Sequence, residues 1–248
     1  MTSSMLMPRG RAKVATAPMS NAEGSVLATR ILDWNSPSVA TFLSEPSIQA
    51  ETGIGRLRAT HRFIAGTIRP VYAVDDTQPV SRTLAHRRGS CSQRLAILEA
   101  VARASGIETR VRGIRVAGSF WYPRFPNLRW AVPDLVVIAW PEFLIDDAWI
   151  SVSELFGSVP ELAACSTGFN NAEGETLFDA ISRTAVDWDG VSSKPGQRST
   201  CDLSAVVRDD LGYFSSRDEL FDLHGQTLCW FSRTVSGPFL SHRTAGPR

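Results

Sequence analysis

The junction Gly89-Ser90-Cys91-Ser92-Gln93 constrains this chain's fold more than any other stretch. Ser90 and Gln93 stand at the S-x-x-Q spacing of a capping box, in which each side chain bonds the other residue's backbone N–H and fixes a helix start. Behind it Leu95, Leu98 and Val101 fall on one helical face, Ile97, Ala102 and Ala104 widen that face, and Gly106 supplies a stop. Cys91 is therefore predicted to be the first residue inside a well-defined helix. Unpaired backbone amides and the helix dipole stabilise a thiolate there, and the same amides can polarise a substrate carbonyl. A buried cysteine serving as a small hydrophobe is the competing reading.

Strand signals follow this helix at residues 109–116, in the apolar run 135–140 extending to 145, and at 149–152, with Asp146-Asp147 as the hairpin turn between the last two. A helix followed by antiparallel strands packed on it is an α+β order. Upstream, Ser36-Pro37 opens a helix carrying Val39, Phe42 and Leu43, and a second helix is predicted over residues 54–68, stopped by Pro70. Residues 71–81 read as a loop. Downstream come helical pieces at 160–164 and 175–184, a Ser/Lys/Pro/Gly linker at 192–199, and a last helix started by Ser216 and Glu219 that ends before Gly225. The expected organisation is a flexible tail over residues 1–24, an α+β core over 25–154 with the Cys-bearing helix packed on an antiparallel sheet, and a helical extension over 155–248.

Composition narrows the function classes. The chain has 248 residues, 43% hydrophobic and 21% charged, which places it among globular proteins that fold by ordinary burial. With 26 basic against 25 acidic residues, the net charge of +1 gives no global field for nucleic acid. No stretch approaches the ~20 apolar residues that span a bilayer, and the N-terminus lacks a secretory apolar run. A cytoplasmic setting is expected. Cys91, Cys165, Cys201 and Cys229 make no C-x-x-C pattern, so reduced thiols, no metal site and no cofactor are expected. Arg82, His86, Arg87, Arg88 and Arg94 cluster around Cys91, as a local field favouring a thiolate or as a solvated loop face.

The run Gly89-Ser90-Cys91, continued by Arg103-Ala104-Ser105-Gly106-Ile107, Arg110 and Gly113, resembles the core of the transglutaminase-like superfamily: G-x-C, a helix, then a "RAxGIPARxVxG"-type strand. Trp140-Pro141-Glu142-Phe143 followed by Trp149 is similar to that family's "HxWxEV…W…D" segment. The resemblance spans roughly residues 36–154. It implies a papain-like fold in which the cysteine is an acyl-accepting nucleophile, a histidine on the next strand its base, and an aspartate on the following strand the histidine's orienter. Laid on the pattern, Ile138 stands where the histidine belongs and Ser153 where the aspartate belongs.

Replacement partners for Cys91 are therefore sought elsewhere. His86 lies in the segment leading to Cys91, His224 ends a helix where the dipole favours a cation, and Asp134 shares a strand face with Val136 and Ile138. Each also has a structural reading, as an exposed loop residue, a helix cap or a turn residue. His61 is expected on a surface or boundary of the second helix, and His242 in a mobile tail. Trp121 and Tyr122, in the aromatic run 120–126, together with Ile138, Trp140 and Glu142, are the candidate substrate-binding residues; the run equally suits packing over a sheet edge, and Glu142 a polar network.

Two functions stand side by side. One is a cysteine-dependent acyl-transfer enzyme, an acyltransferase or amide/thioester hydrolase acting on a small-molecule, peptide or carrier-bound acyl group, for which bacterial specialised metabolism is one setting. A thioester suits the lost histidine best, because its leaving thiolate needs less protonation than an amine. The other is a catalytically degenerate domain used for binding or as a scaffold. Neither substrate nor oligomeric state is legible.

Overall fold

A computed structural model describes residues 22–225 except 73–74, 128, 166, 170, 172–173 and 194–198. Residues 1–21 of the predicted 1–24 tail, most of the linker, His242 and Cys229 lie outside the described residues, as does the Cys165 side chain. Four helices precede the central one: α1 (Pro37–Leu43), α2 (Pro46–Gln49), α3 (Gly53–Thr67) and, after the two-residue strand β1 (Arg69–Pro70), α4 (Val80–His86). Prolines start α1 and α2 because their missing N–H costs nothing there. Arg87, in the left-handed region at φ 47°, turns the chain out of α4 into β2 (Arg88–Gly89), which pairs in parallel with β1.

Gly89 fits this crossing because a Cβ on it would meet the Thr83 methyl at 2.8 Å. The chain then enters α5 (Cys91–Ala104) through the predicted box: Gln93 N–H donates to Ser90 Oγ at 3.2 Å and Ser90 N–H to Gln93 Oε1 at 3.0 Å. Leu95, Leu98 and Val101 are buried, as the helical period requires, and α5 packs against α3, α4 and the sheet.

The sheet is antiparallel with strand order β5-β4-β3-β6, formed by β3 (Thr109–Ala117), β4 (Leu135–Ile145), β5 (Ala148–Ser151) and β6 (Val207–Phe214). Asp146 and Asp147, both at positive φ (51° and 61°), make the β4–β5 hairpin turn where it was expected. Between β5 and β6 lie α6 (Val159–Cys165) and α7 (Leu177–Ala180), and α8 (Arg217–His224) closes the described chain. The helical stretch expected over 175–184 is thus one short helix followed by turns.

The C-terminal extension is more than helical. Its strand β6 completes the sheet beside β3, with Asp209 and Asp210 paired to Arg115 and Arg112. The sequence hides β6 because its first half does not alternate: Arg208, Asp209 and Asp210 are exposed in succession, where a strand is marked by alternating β-branched residues. α8 packs over Gly113, where a Cβ would meet the Leu220 side chain at 2.7 Å. Buried Arg217 then joins α8 to α5, bonding Glu99 at 2.5 Å and Ser92 at 3.0 Å.

Candidate active site

Cys91 is the first residue of α5 and is partly exposed as a residue. Burial around the thiol pushes it up to about 12, although the residue keeps some exposed surface. Arg94 pulls it down, Asp179 pushes it up, and the Phe178 backbone amide and Arg217 pull it down; none of these overcomes the desolvation. In this conformation the thiol is protonated near neutral pH.

Besides Arg217 of α8, which bonds Ser92, groups from α3 and α7 gather near the first turn of α5. Arg94, one turn along from Cys91 and fully buried, donates to Asp179 at 2.7 and 3.3 Å and to Thr176 Oγ1 at 3.2 Å. Its guanidinium also lies 4.2 Å from the Phe178 ring centroid. Arg94 is therefore an ion-paired core residue and no part of a solvated basic loop. Burial works against ionised Asp179, but the bonds from Arg94 and Thr176 outweigh it and hold its carboxyl below the usual range. Thr176 and Asp179 form a capping box that starts α7.

His61 departs from its expected surface or boundary position: it is 1% exposed, with its ring stacked 4.3 Å from the Phe178 ring and edge-on to Phe156. Its Nε2 lies 2.6 Å from the Phe178 carbonyl. A carbonyl only accepts, so Nε2 carries the proton and Nδ1 is bare, buried and without a partner. Desolvation lowers the pKa of this imidazole, which keeps it neutral. The contact joins residues 117 apart, which is why helical period alone misplaced His61. Within the stretch expected to be helical, the Thr176-x-x-Asp179 spacing is the signal that marks where α7 starts.

The other candidates are spread over the molecule. His86 is exposed at the end of α4, and Asp134 is exposed just before β4, its carbonyl accepting from Gly118 N–H at 2.8 Å. His224, at the end of α8, meets the Phe214 ring edge-on at 5.5 Å, and desolvation with Arg115 lowers its pKa. None of the three hydrogen-bonds Cys91 among the described residues. Ile138, Trp140 and Glu142 share one face of β4 by the two-residue period, with Ser151 opposite Glu142. Trp140 is buried, donates from Nε1 to Ser151 Oγ at 3.0 Å, and meets Trp188 edge-on at 5.5 Å. Ser151 Oγ in turn lies 2.9 Å from Ser153 Oγ, so a hydroxyl relay stands beside Trp140 where the family pattern has its aspartate.

Glu142 pairs with Arg110 at 2.8 Å, and that guanidinium stacks on both Trp149 and Tyr213. Trp121 packs partly buried against Phe120, and Tyr122 lies under Arg129. Among the described residues no group of three or more His, Cys, Asp or Glu side chains is arranged to hold a metal, and no helix is long and apolar enough to cross a membrane.

Comparison with known proteins agrees with this layout in one region. No curated protein matches the chain. A crystal structure from Cytophaga hutchinsonii, provisionally described as a cysteine protease, is 18% identical over 55% of this chain and 44% of that one, with a TM-score of 0.38. The chain thus spans less than half of that protein, and so slight a likeness has no bearing on activity. Residues 45–153, which include α5 and the β3–β5 strands, match the model of the Transglutaminase-like superfamily. Over these residues, fewer than half of the chain, it is similar to the transglutaminase-like superfamily.

Proposed function

We propose that this protein carries out cysteine-dependent acyl transfer, with Cys91 attacking the carbonyl of an activated acyl group and passing that group to water or an amine. The observation that carries this reading is the position of Cys91 as first residue of the fully capped α5, inside the family-matching residues. The free amides of that first turn are suited to stabilise both the thiolate and the oxyanion that forms when the carbonyl is attacked. A small-molecule, peptide or carrier-bound thioester is the favoured substrate. Its leaving thiolate departs without the proton that the family's strand histidine would deliver, and Ile138 and Ser153 cannot deliver one. The reaction requires a form in which the sulfur is less enclosed than in this conformation, and a cytoplasmic setting would keep the thiol reduced.

The test is thiol release from acyl-thioesters of graded chain length by the full chain. Turnover should disappear in Cys91→Ala; full activity in that variant contradicts the proposal.

A second reading, a degenerate domain that binds or scaffolds, draws on Ile138, Ser153 and a thiol raised to about 12. It predicts that Cys91 reacts with iodoacetamide no faster than the other cysteines, and that Cys91→Ala leaves the protein's binding role intact.

A further inference from the structure

Phe178 is held by contacts that acyl transfer at Cys91 does not require. Its ring is fully buried against the Arg94 guanidinium and the His61 ring, and its carbonyl accepts from His61. The helix that carries it is a single turn, α7, packed directly on α5 and tied there by the Arg94–Asp179 pair. Side chains from two other helices, α3 and α5, thus converge on one phenylalanine beside the first turn of α5.

We infer that α7 is a stopper: it closes the Cys91 sulfur from solvent and leaves by a local opening in which the Arg94–Asp179 pair breaks. The inference goes beyond the acyl-transfer reading, since a covered cysteine has a use in an enzyme and in a binding domain alike. Two features favour opening here over the rest of the core. The Asp179 side chain is 28% exposed, so water reaches the pair that must break. Both clamp residues also carry a buried polar atom without a partner, His61 Nδ1 and Arg94 Nε, and each would gain hydrogen bonds to water on opening. By contrast, the Arg217–Glu99 pair on the neighbouring side of α5 is fully buried at both ends. What opposes opening is the apolar surface of Phe178 and Ile181, so the open form is a minor population.

The experiment labels the full chain with N-ethylmaleimide across low urea concentrations and follows Cys91 and Cys201 by mass spectrometry, each rate scaled to that of the unfolded chain. Cys201 is the internal reference, fully buried in a small cluster with Val159 and Ala185. The stopper predicts that Cys91 labels at least about tenfold faster than Cys201 without urea, with little urea dependence, as a sub-global opening requires. Asp179→Asn should raise the Cys91 rate about tenfold further, because it weakens the tie while leaving the α7 cap an acceptor. Equal rates for the two cysteines that climb together with urea would overturn the inference, since Cys91 would then open only with the whole fold. A Cys91 rate near that of the unfolded chain would overturn it equally, since nothing would cover the sulfur. If Asp179→Asn fails to fold, the wild-type urea series still decides.

Discussion

The helix side and the strand side of the candidate site keep different things. On the helix side, the capping box, the buried α5 face and Cys91 at the first position are what a nucleophile needs for placement. On the strand side, the sequence resemblance lays Ile138 and Ser153 on the family's proton-handling pair, and the neighbouring polar groups are committed to packing: Trp140 to Ser151, Glu142 to Arg110. The difference teaches that placement and proton transfer are separable. A fold can retain the geometry that aims a sulfur while losing the groups that ionise it. In this chain a third element, α7, stands beside the helix side, and its residues clamp Arg94 in the core.

The largest expected effect breaks the helix side itself. Glu99→Ala leaves Arg217 charged and buried without its carboxylate, and should cost about 3–5 kcal/mol in urea denaturation. A loss under about 1 kcal/mol would mean that the α5–α8 joint is not held this way.

Next, Ile138→His with Ser153→Asp restores the strand side. If Ile138 faces the sulfur, Cys91 alkylation near neutral pH should rise about a hundredfold. An unchanged rate would show that the β4 face does not meet Cys91, and the alignment of Ile138 with the family histidine would fall.

Ser90→Ala removes only the cap, so about 1 kcal/mol should be lost, with Cys91 labelling rising as the first turn frays. The smallest effect is in pH. The folded thiol is raised above its unfolded value of about 8.5, so its contribution to stability is present below that pH and lost as pH rises from there toward about 12. Cys91→Ala should flatten this alkaline decline in Tm, and an identical decline would contradict the burial argument. His61 is shifted the other way, so its contribution is present above about 6.5 and lost as pH falls below it.

These predictions also mark where sequence reading worked. The start of α5 was legible because a capping box and an apolar period are local, and Asp146-Asp147 was legible because two consecutive left-handed residues favour such side chains. His61 was not, because its burial depends on Phe178, more than a hundred residues away. Strand β6 was not, because its acids are explained only by Arg112 and Arg115 on β3. The family pattern located Cys91 but carried no information on α7, which lies beyond the matched residues.

The most direct test of the central claim, that Cys91 is held closed and protonated at an acyl-transfer position, is the pH dependence of its alkylation in the intact protein. If the closed form stays protonated until about 12, the rate should climb roughly tenfold per pH unit through pH 10 without levelling. Deprotonation would then draw on the minor open form throughout. A rate that levels at or below about pH 8.5 would mean that the thiolate already forms in the folded state, and would contradict the account.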